Sequence, residues 1–325
     1  MNVDDVIRVI DPLDEVALIS HFRPDGDAIG STLGLGLALQ AMGKKVHLWN
    51  EDGMPERYAF LQGAELLQRT PEELPAGVQA LVCVDTGDLK RIGEAGMARF
   101  AQAPITLNID HHETNTLYAQ TNLVDGDAAA CGCVIYRLLR AWGAPLTRPV
   151  AEALYAAIST DTGSFQFSST TAEVMRIAAE LIEAGVDVGD INRLIYQEQS
   201  LSSLIMHREV LNNMVVEAHG AISHYSLPAG KKAELGLSLE DTKDLVDYIR
   251  VLKGVRISVI FEDLENGLIR MSLRSKDPRI NVAQLAQQFG GGGHAMAAGI
   301  RMRGTLAECR EKVLEAIRTA VSTCP

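Results

Sequence analysis

Asp110-His111-His112 follows the apolar run Ile105 to Ile109 and sets a carboxylate and two imidazoles at a single chain reversal. A second cluster, His21-Phe-Arg-Pro-Asp25-Gly-Asp27, follows the apolar run Val16 to Ile19. Single aspartates occupy comparable settings in Val84-Asp85-Thr-Gly-Asp and Ser159-Thr-Asp161-Thr-Gly. Mixed carboxylate and imidazole ligands suit Mn²⁺ or a similar transition ion. Two such ions sharing a carboxylate and a water make a hydrolytic centre. Taken singly, each cluster has a plainer explanation, since an aspartate after a strand commonly caps a helix or closes a turn. Four of them in one coherent pattern read as a two-metal hydrolase site. Such a site needs no separate nucleophile, and no Ser-His-Asp or Cys-His motif is recognisable in the chain.

The surrounding sequence must bring these groups together. Val16 to Ile19 reads as a buried parallel strand, short and wholly apolar. His21 to Asp27 reads as the loop after it, with Gly26 letting the two carboxylates turn inward. A helix is expected from about Ser31 to Met42, then strands at Lys45 to Trp49, Ala80 to Val84 and Ile105 to Ile109. Strands separated by helical stretches give an α/β class with a mostly parallel, doubly wound sheet. Three of the four clusters then fall at the carboxyl ends of strands, where open α/β sheets bind ligands. Asp161 instead ends a helical stretch running from about Pro149, which the fold must return to the same edge.

The second half has a different rhythm. Val186 to about Leu211 reads as a helical connector, and Met214 to Ala218 with Ala221 to Leu227 as paired strands. A helix is expected at Ser238, with Asp241 as an approximate capping box. Arg256 to Glu262 and Leu268 to Arg274 form a hairpin across Asn266-Gly267. A helix at Ile280 to Phe289, a strand at Ala298 to Met302 and a helix from Thr305 complete a smaller α+β domain. Between them the run Gly290-Gly-Gly-Gly-His294 reads as a loop able to aim N–H groups at an anion. Arg274-Ser-Lys276 at a strand end could pair with phosphate.

With 325 residues the chain suits two domains rather than one core. A net charge of −12 argues against tight binding of long duplex nucleic acid, which depends on neutralising phosphates. The five cysteines are scattered, and Cys131-Gly-Cys133 lacks zinc-knuckle spacing, so reduced thiols in a cytoplasmic protein are expected. Asp4 and Asp5 do not suit a signal peptide. No apolar run approaches the roughly 20 residues that span a bilayer, so no membrane partner is expected.

His21-Phe-Arg-Pro-Asp-Gly-Asp-Ala-Ile-Gly-Ser, Val84-Asp-Thr-Gly-Asp, Asn108-Ile-Asp-His-His and Ser159-Thr-Asp-Thr-Gly-Ser resemble, in order and spacing, the four motifs of the DHH phosphoesterases. The second half resembles the DHH-associated C-terminal domain. This resemblance implies a catalytic domain over 1–186, a connector over 187–212 and a substrate-binding domain over 213–325. It implies that His21, Asp25 and Asp85 hold one divalent ion, and that Asp27, Asp85, His111 and Asp161 hold another, with Asp85 as the bridge. Mn²⁺ is the expected ion, with Mg²⁺ or Co²⁺ as alternatives. His112 would face the scissile phosphate, and Asp110 would orient a histidine. Arg274, Ser275, Gly291, Gly292, Gly293 and His294 would hold the non-reacting part of the substrate. The short two-domain layout resembles the oligoribonuclease (nanoRNase)/pAp phosphatase branch. That branch implies short RNAs of about two to five nucleotides, linear dinucleotides such as pApA or pGpG, and 3′-phosphoadenosine 5′-phosphate (pAp) as substrates, and it leaves room for a homodimer. Competing readings are a linear or cyclic dinucleotide phosphodiesterase, a manganese-dependent pyrophosphatase, and a nucleotide sensor without turnover.

Overall fold

The computed structural model of the chain describes residues 2–237, 242 and 245–324. The helix start expected at Ser238 and Asp241 lies outside the described residues. The chain divides into two compact units, Met1–Glu198 and Gln199–Pro325.

The first unit is built on β1 (Glu15–Ser20), β2 (Lys45–Asn50), β3 (Leu67–Arg69), β4 (Ala80–Val84), β5 (Ile105–Asp110) and β6 (Thr121–Val124). All pair in parallel, in the order β3-β2-β1-β4-β5-β6. Val16, Leu18, Val82 and Val84 point into a core shared with the helices Gly26–Ala41, Cys131–Trp142 and Arg148–Asp161. Ala17, Ile19, Leu81 and Cys83 point the other way, against Trp49 and Ile92. Burial of both faces explains why β1 and β4 show no alternation with polar residues.

The first long helix begins at Gly26, not near Ser31. Asp25 caps it, its side chain accepting from the Ala28 N–H at 3.0 Å. Gly26 therefore does not serve a loop reversal. A Cβ there would lie 2.4 Å from the Thr160 side chain, so glycine permits the end of helix Arg148–Asp161 to pack directly on the start of Gly26–Ala41. That contact brings the stretch carrying Asp27 beside the stretch carrying Asp161.

The second unit contains β7 (Val215–Glu217), β8 (Ile222–Leu227), β9 (Ile257–Asp263), β10 (Leu268–Ser275), β11 (Gly292–His294) and β12 (Ala297–Arg303). Their order is β11-β12-β10-β9-β8-β7, with only the β8–β9 pair parallel. The β9–β10 hairpin forms as expected, Ile269 lying opposite Asp263. The closing helix Leu306–Thr323 starts at a capping box between Thr305 and Glu308. The stretch expected as one helical connector is broken into Val188–Asn192, a wide turn at Arg193–Gln197, and a new helix Leu201–Asn213 capped by Ser200. Among the described residues no helix is long and apolar enough to cross a membrane.

Candidate active site

Strand order reverses between β1 and β4, so a crevice opens beyond their carboxyl ends. His21 follows β1, Asp85 follows β4, and Asp110 is the last residue of β5, with His111 and His112 next. Asp85 has φ of 52°, a left-handed backbone that few residues other than glycine adopt without strain. Its N–H is fixed on the Ile109 carbonyl at 2.9 Å. In this posture its two carboxylate oxygens face different neighbours. Oδ2 lies 3.5 Å from His21 Nε2, while Oδ1 lies 3.5 Å from His111 Nε2. Oδ1 is buried and accepts no hydrogen bond among the described residues.

Both imidazoles are oriented from behind. His21 Nδ1 is 2.9 Å from the Phe22 carbonyl and His111 Nδ1 is 3.1 Å from the Ala128 carbonyl. A carbonyl only accepts, so each ring carries a proton on Nδ1 and turns Nε2 toward the carboxylates. His21 Nε2 is 3.8 Å from Asp25 and 3.5 Å from Asp85. His111 Nε2 is 3.5 Å from each of Asp27, Asp85 and Asp161. Two clusters result, His21/Asp25/Asp85 and Asp27/Asp85/His111, and they share Asp85. These spacings are long for hydrogen bonds. They match ligands gathered on a common ion, because donors held about 2.1 Å from one cation stand about 3 to 3.5 Å from each other.

The electrostatics point the same way. Burial and the charge of Asp85 push the Asp27 carboxyl well above its ordinary range. Burial, together with the charges of Asp25 and Asp85, raises Asp161 to about 6. Burial disfavours a charged His21, yet its contacts with Asp25 and Asp85 raise it to about 10. Carboxylates this close repel each other, Asp27 and Asp85 being buried, Asp161 half-buried and Asp25 exposed, and protons on the histidines compensate in part. A divalent cation compensates the same charge with a better match to the donor set. The residues present therefore fit a metal centre, on the evidence of the orphaned Asp85 oxygen and the ligand spacing.

Helix Cys131–Trp142 supports Asp27 through its first N–H groups. Asp27 accepts from the Cys131 N–H at 2.6 Å, the Gly132 N–H at 3.0 Å and the Ser31 hydroxyl at 2.8 Å. These contacts lock the carboxylate in one rotamer, using donors that a helix start leaves unpaired.

His112 stands beside the shared aspartate, its Nδ1 3.7 Å from Asp85 Oδ1, in a further group with Asp85 and Asp110. Its Nδ1 donates to Asp110 Oδ1 at 2.7 Å, which commits that nitrogen and leaves Nε2 for other work. Asp110 is fully buried, whereas the His112 side chain is 21 % exposed. Burial opposes charge on His112, but the Asp110 hydrogen bond and negative charge raise its affinity for a proton. The histidine oriented by Asp110 is thus His112. Asn115 holds Asp110 in turn. Its amide donates to Asp110 Oδ2 at 2.6 Å and to Asn108 Oδ1 at 2.7 Å. Sequence reasoning missed Asn115, whose only local signal is an asparagine in a turn.

In the second unit, Arg274 and His294 flank Ala297 in one cross-strand row, from β10 through β12 to β11. The Arg274 Nε is 3.4 Å from Asp247. Ser275 is different. It is 1 % exposed, and its hydroxyl both donates to the Asp277 carbonyl at 2.9 Å and accepts from the Asp277 N–H at 3.1 Å. It closes a turn, and its hydroxyl is engaged within the chain where a binding role was expected of it. The glycine run is also more ordered than a loop. Gly292 and Gly293 lie in the edge strand β11, and the Gly290 and Gly291 N–H groups donate to the carbonyls of Gln287 and Ala286. A Cβ on Gly293, whose φ is 137°, would lie 2.5 Å from the Ala297 carbonyl oxygen. Glycine is required there for the backbones to approach, whatever else the segment binds.

Comparison with known proteins adds independent findings. The model of the DHH family N-terminal domain matches residues 15–158, and that of the DHHA1 domain matches 228–323. A bifunctional oligoribonuclease and PAP phosphatase NrnA from Thermus thermophilus is 35% identical, over 93% of this chain and 89% of that protein. The protein of the same description from Bacillus subtilis is 30% identical, over 91% of each. Among solved structures, an exopolyphosphatase-related protein from Bacteroides fragilis aligns with a TM-score of 0.86 at 27% identity, covering 99% of this chain and 95% of that one.

Proposed function

Because the chain belongs to the DHH family, we propose that it is a metal-dependent phosphoesterase that hydrolyses RNAs of about two to five nucleotides to mononucleotides and converts pAp to AMP. Its similarity to the bifunctional oligoribonuclease and PAP phosphatases, along nearly the full length of each chain, supports the substrate class. The observation that carries the reading is Asp85, whose two oxygens face two separate ligand clusters.

In this reading His21, Asp25 and Asp85 bind one divalent ion, and Asp27, Asp85, His111 and Asp161 bind a second. Mn²⁺ suits the mixed oxygen and nitrogen donors best, with Co²⁺ or Mg²⁺ as substitutes. When bound, the pair supplies positive charge at the phosphoryl group and a water acidic enough to attack phosphorus near neutral pH. His112, held by Asp110, gives its Nε2 proton to the departing oxygen. Arg274 and His294 bind the non-reacting part of the substrate, and linear dinucleotides such as pApA and pGpG fall within the same chemistry. The decisive experiment is incubation with Mn²⁺ and, separately, pApA, pAp and inorganic pyrophosphate. Release of AMP from the first two supports the proposal, whereas phosphate from pyrophosphate alone overturns it.

Two further outcomes are expected. His21 is protonated at pH 7 in the metal-free protein because its pKa is raised to about 10. A nitrogen ligand must be neutral, so loading Mn²⁺ at pH 7 should release about one proton from this residue. Affinity should then climb as pH rises from neutrality toward that value. Calorimetric titrations in two buffers of different ionisation heat measure the total release. His111 contributes to it too, because burial opposes its charge but Asp85, Asp161 and Asp27 raise its proton affinity. A proton count of zero removes both histidines from the ligand set. Separately, His294→Ala should raise KM about tenfold, the worth of one charge-assisted hydrogen bond, with manganese content unchanged. Loss of metal in that variant would give His294 the wrong role.

A further inference from the structure

Arg91 lies in the short turn Leu89–Ile92 after β4, and its carbonyl accepts from the Phe22 N–H at 2.7 Å. This link ties the segment after β4 to the segment after β1, the two that bear Asp85 and His21. The Arg91 guanidinium carbon sits over the Phe22 ring, 5.3 Å from its centroid. One terminal nitrogen lies 3.2 Å from His21 Nδ1. That approach is not a hydrogen bond when His21 serves as a ligand through Nε2. Nδ1 then carries a proton that is donated to the Phe22 carbonyl, and a guanidinium has no lone pair to receive one. Two donors face each other. Among the described residues no carboxylate forms an ion pair with Arg91, and its side chain is open to solvent.

A permanently charged, planar, partly immobilised donor beside a candidate phosphate-cleaving centre calls for an anionic acceptor. We propose that Arg91 is a specificity-determining residue that binds a second, non-reacting phosphate of the substrate. It approaches His21 on the Nδ1 edge, whereas the carboxylate clusters lie on the Nε2 edge. The imidazole therefore separates the guanidinium from the candidate ions, and the group it reaches is a neighbouring phosphate rather than the one undergoing attack. A phosphate monoester, with two oxygens to meet the guanidinium fork, is the best match. In pAp this is the 5′-phosphate, and in a short RNA the terminal 5′-phosphate. The inference rests on the phosphoesterase reading above and narrows it to substrates carrying that group.

The test uses the full-length, manganese-loaded protein and its Arg91→Ala and Arg91→Lys variants, with pAp and 3′-AMP as paired substrates. The two share the reacting 3′-phosphate and differ only in the 5′-phosphate. In Arg91→Ala the preference for pAp over 3′-AMP, as a ratio of kcat/KM, should fall at least about tenfold through KM, and Arg91→Lys should recover part of it. Calorimetric titration with 5′-AMP, which carries only the non-reacting group, should show a matching loss of affinity. An unchanged preference, an equal loss on both substrates, or a fall in manganese content overturns the proposal, the last by making Arg91 a support for His21. If the wild type turns over neither substrate but binds 5′-AMP through Arg91, the phosphoesterase reading fails and the phosphate contact stands. If turnover is intact and indifferent to Arg91, the reverse holds. With neither turnover nor binding, both fall.

Discussion

Asp85→Asn should lower kcat by about a thousandfold or more and reduce the manganese retained after gel filtration. The substitution is conservative in shape. Asparagine tolerates the left-handed backbone that Asp85 adopts at φ of 52°, so the turn after β4 should survive. What changes is charge. The carboxylate is held well below its ordinary pKa because, although burial opposes ionisation, the imidazoles of His111 and His21 favour it. An amide in its place presents one neutral oxygen to one cluster and an NH₂ group to the other. A bound divalent ion contributes several kcal/mol of transition-state charge stabilisation, and each 1.36 kcal/mol is tenfold in rate. A residue shared by both clusters therefore has more to lose than one serving a single cluster. Thermal unfolding of the variant, compared with wild type, separates this loss from a fold defect. Wild-type kcat in manganese-replete buffer would falsify the shared-ligand assignment.

Legibility in the sequence follows burial. The runs at 16–19 and 80–84 could be read as strands because both faces of their sheet are covered, leaving no polar position to blur them. The run at 105–109 could be read from its alternation, although its Thr106 and Asn108 are buried as well. Their final residues then pointed to the site. The edge strands Leu67–Arg69 and Thr121–Val124 are short and half polar, and carry no such signal. The start at Gly26 was hidden because glycine weakens helices, and its value lies in a contact with Thr160, remote in sequence. Ser275 could not be assigned from its type, since a serine at a strand end looks the same whether it meets a ligand or closes a turn. The glycine run misled for a related reason. Glycines that free a loop and glycines that let two strands touch are identical on the page, and only the 2.5 Å clearance at Gly293 tells them apart.

His112→Ala should lower kcat by about 10² to 10⁴, the range for loss of a positioned general acid, with KM and manganese content little changed. Retention of metal follows from geometry. The His112 nitrogen nearest Asp85 is Nδ1, at 3.7 Å, and that atom is already donated to Asp110. Two roles remain for Nε2, protonating the leaving oxygen or stabilising charge on the phosphoryl group. They separate by leaving group. A nucleoside or sugar hydroxylate needs a proton to depart, whereas p-nitrophenolate does not. If His112 is the acid, its removal should cost far less on the p-nitrophenyl ester of a nucleoside 5′-phosphate than on pApA. Equal losses on both would instead make it a charge stabiliser. Asp110→Asn supplies the complementary reading. The amide oxygen can still accept from Nδ1, but the negative charge that raises the imidazole's proton affinity is gone. Its deficit should be about ten- to a hundredfold, as for other groups that tune a functional side chain from behind, and should shrink on the same p-nitrophenyl ester. A deficit of that size that ignored the leaving group would mean that Asp110, braced by Asn115, sets only where the ring stands and not how tightly it holds its proton.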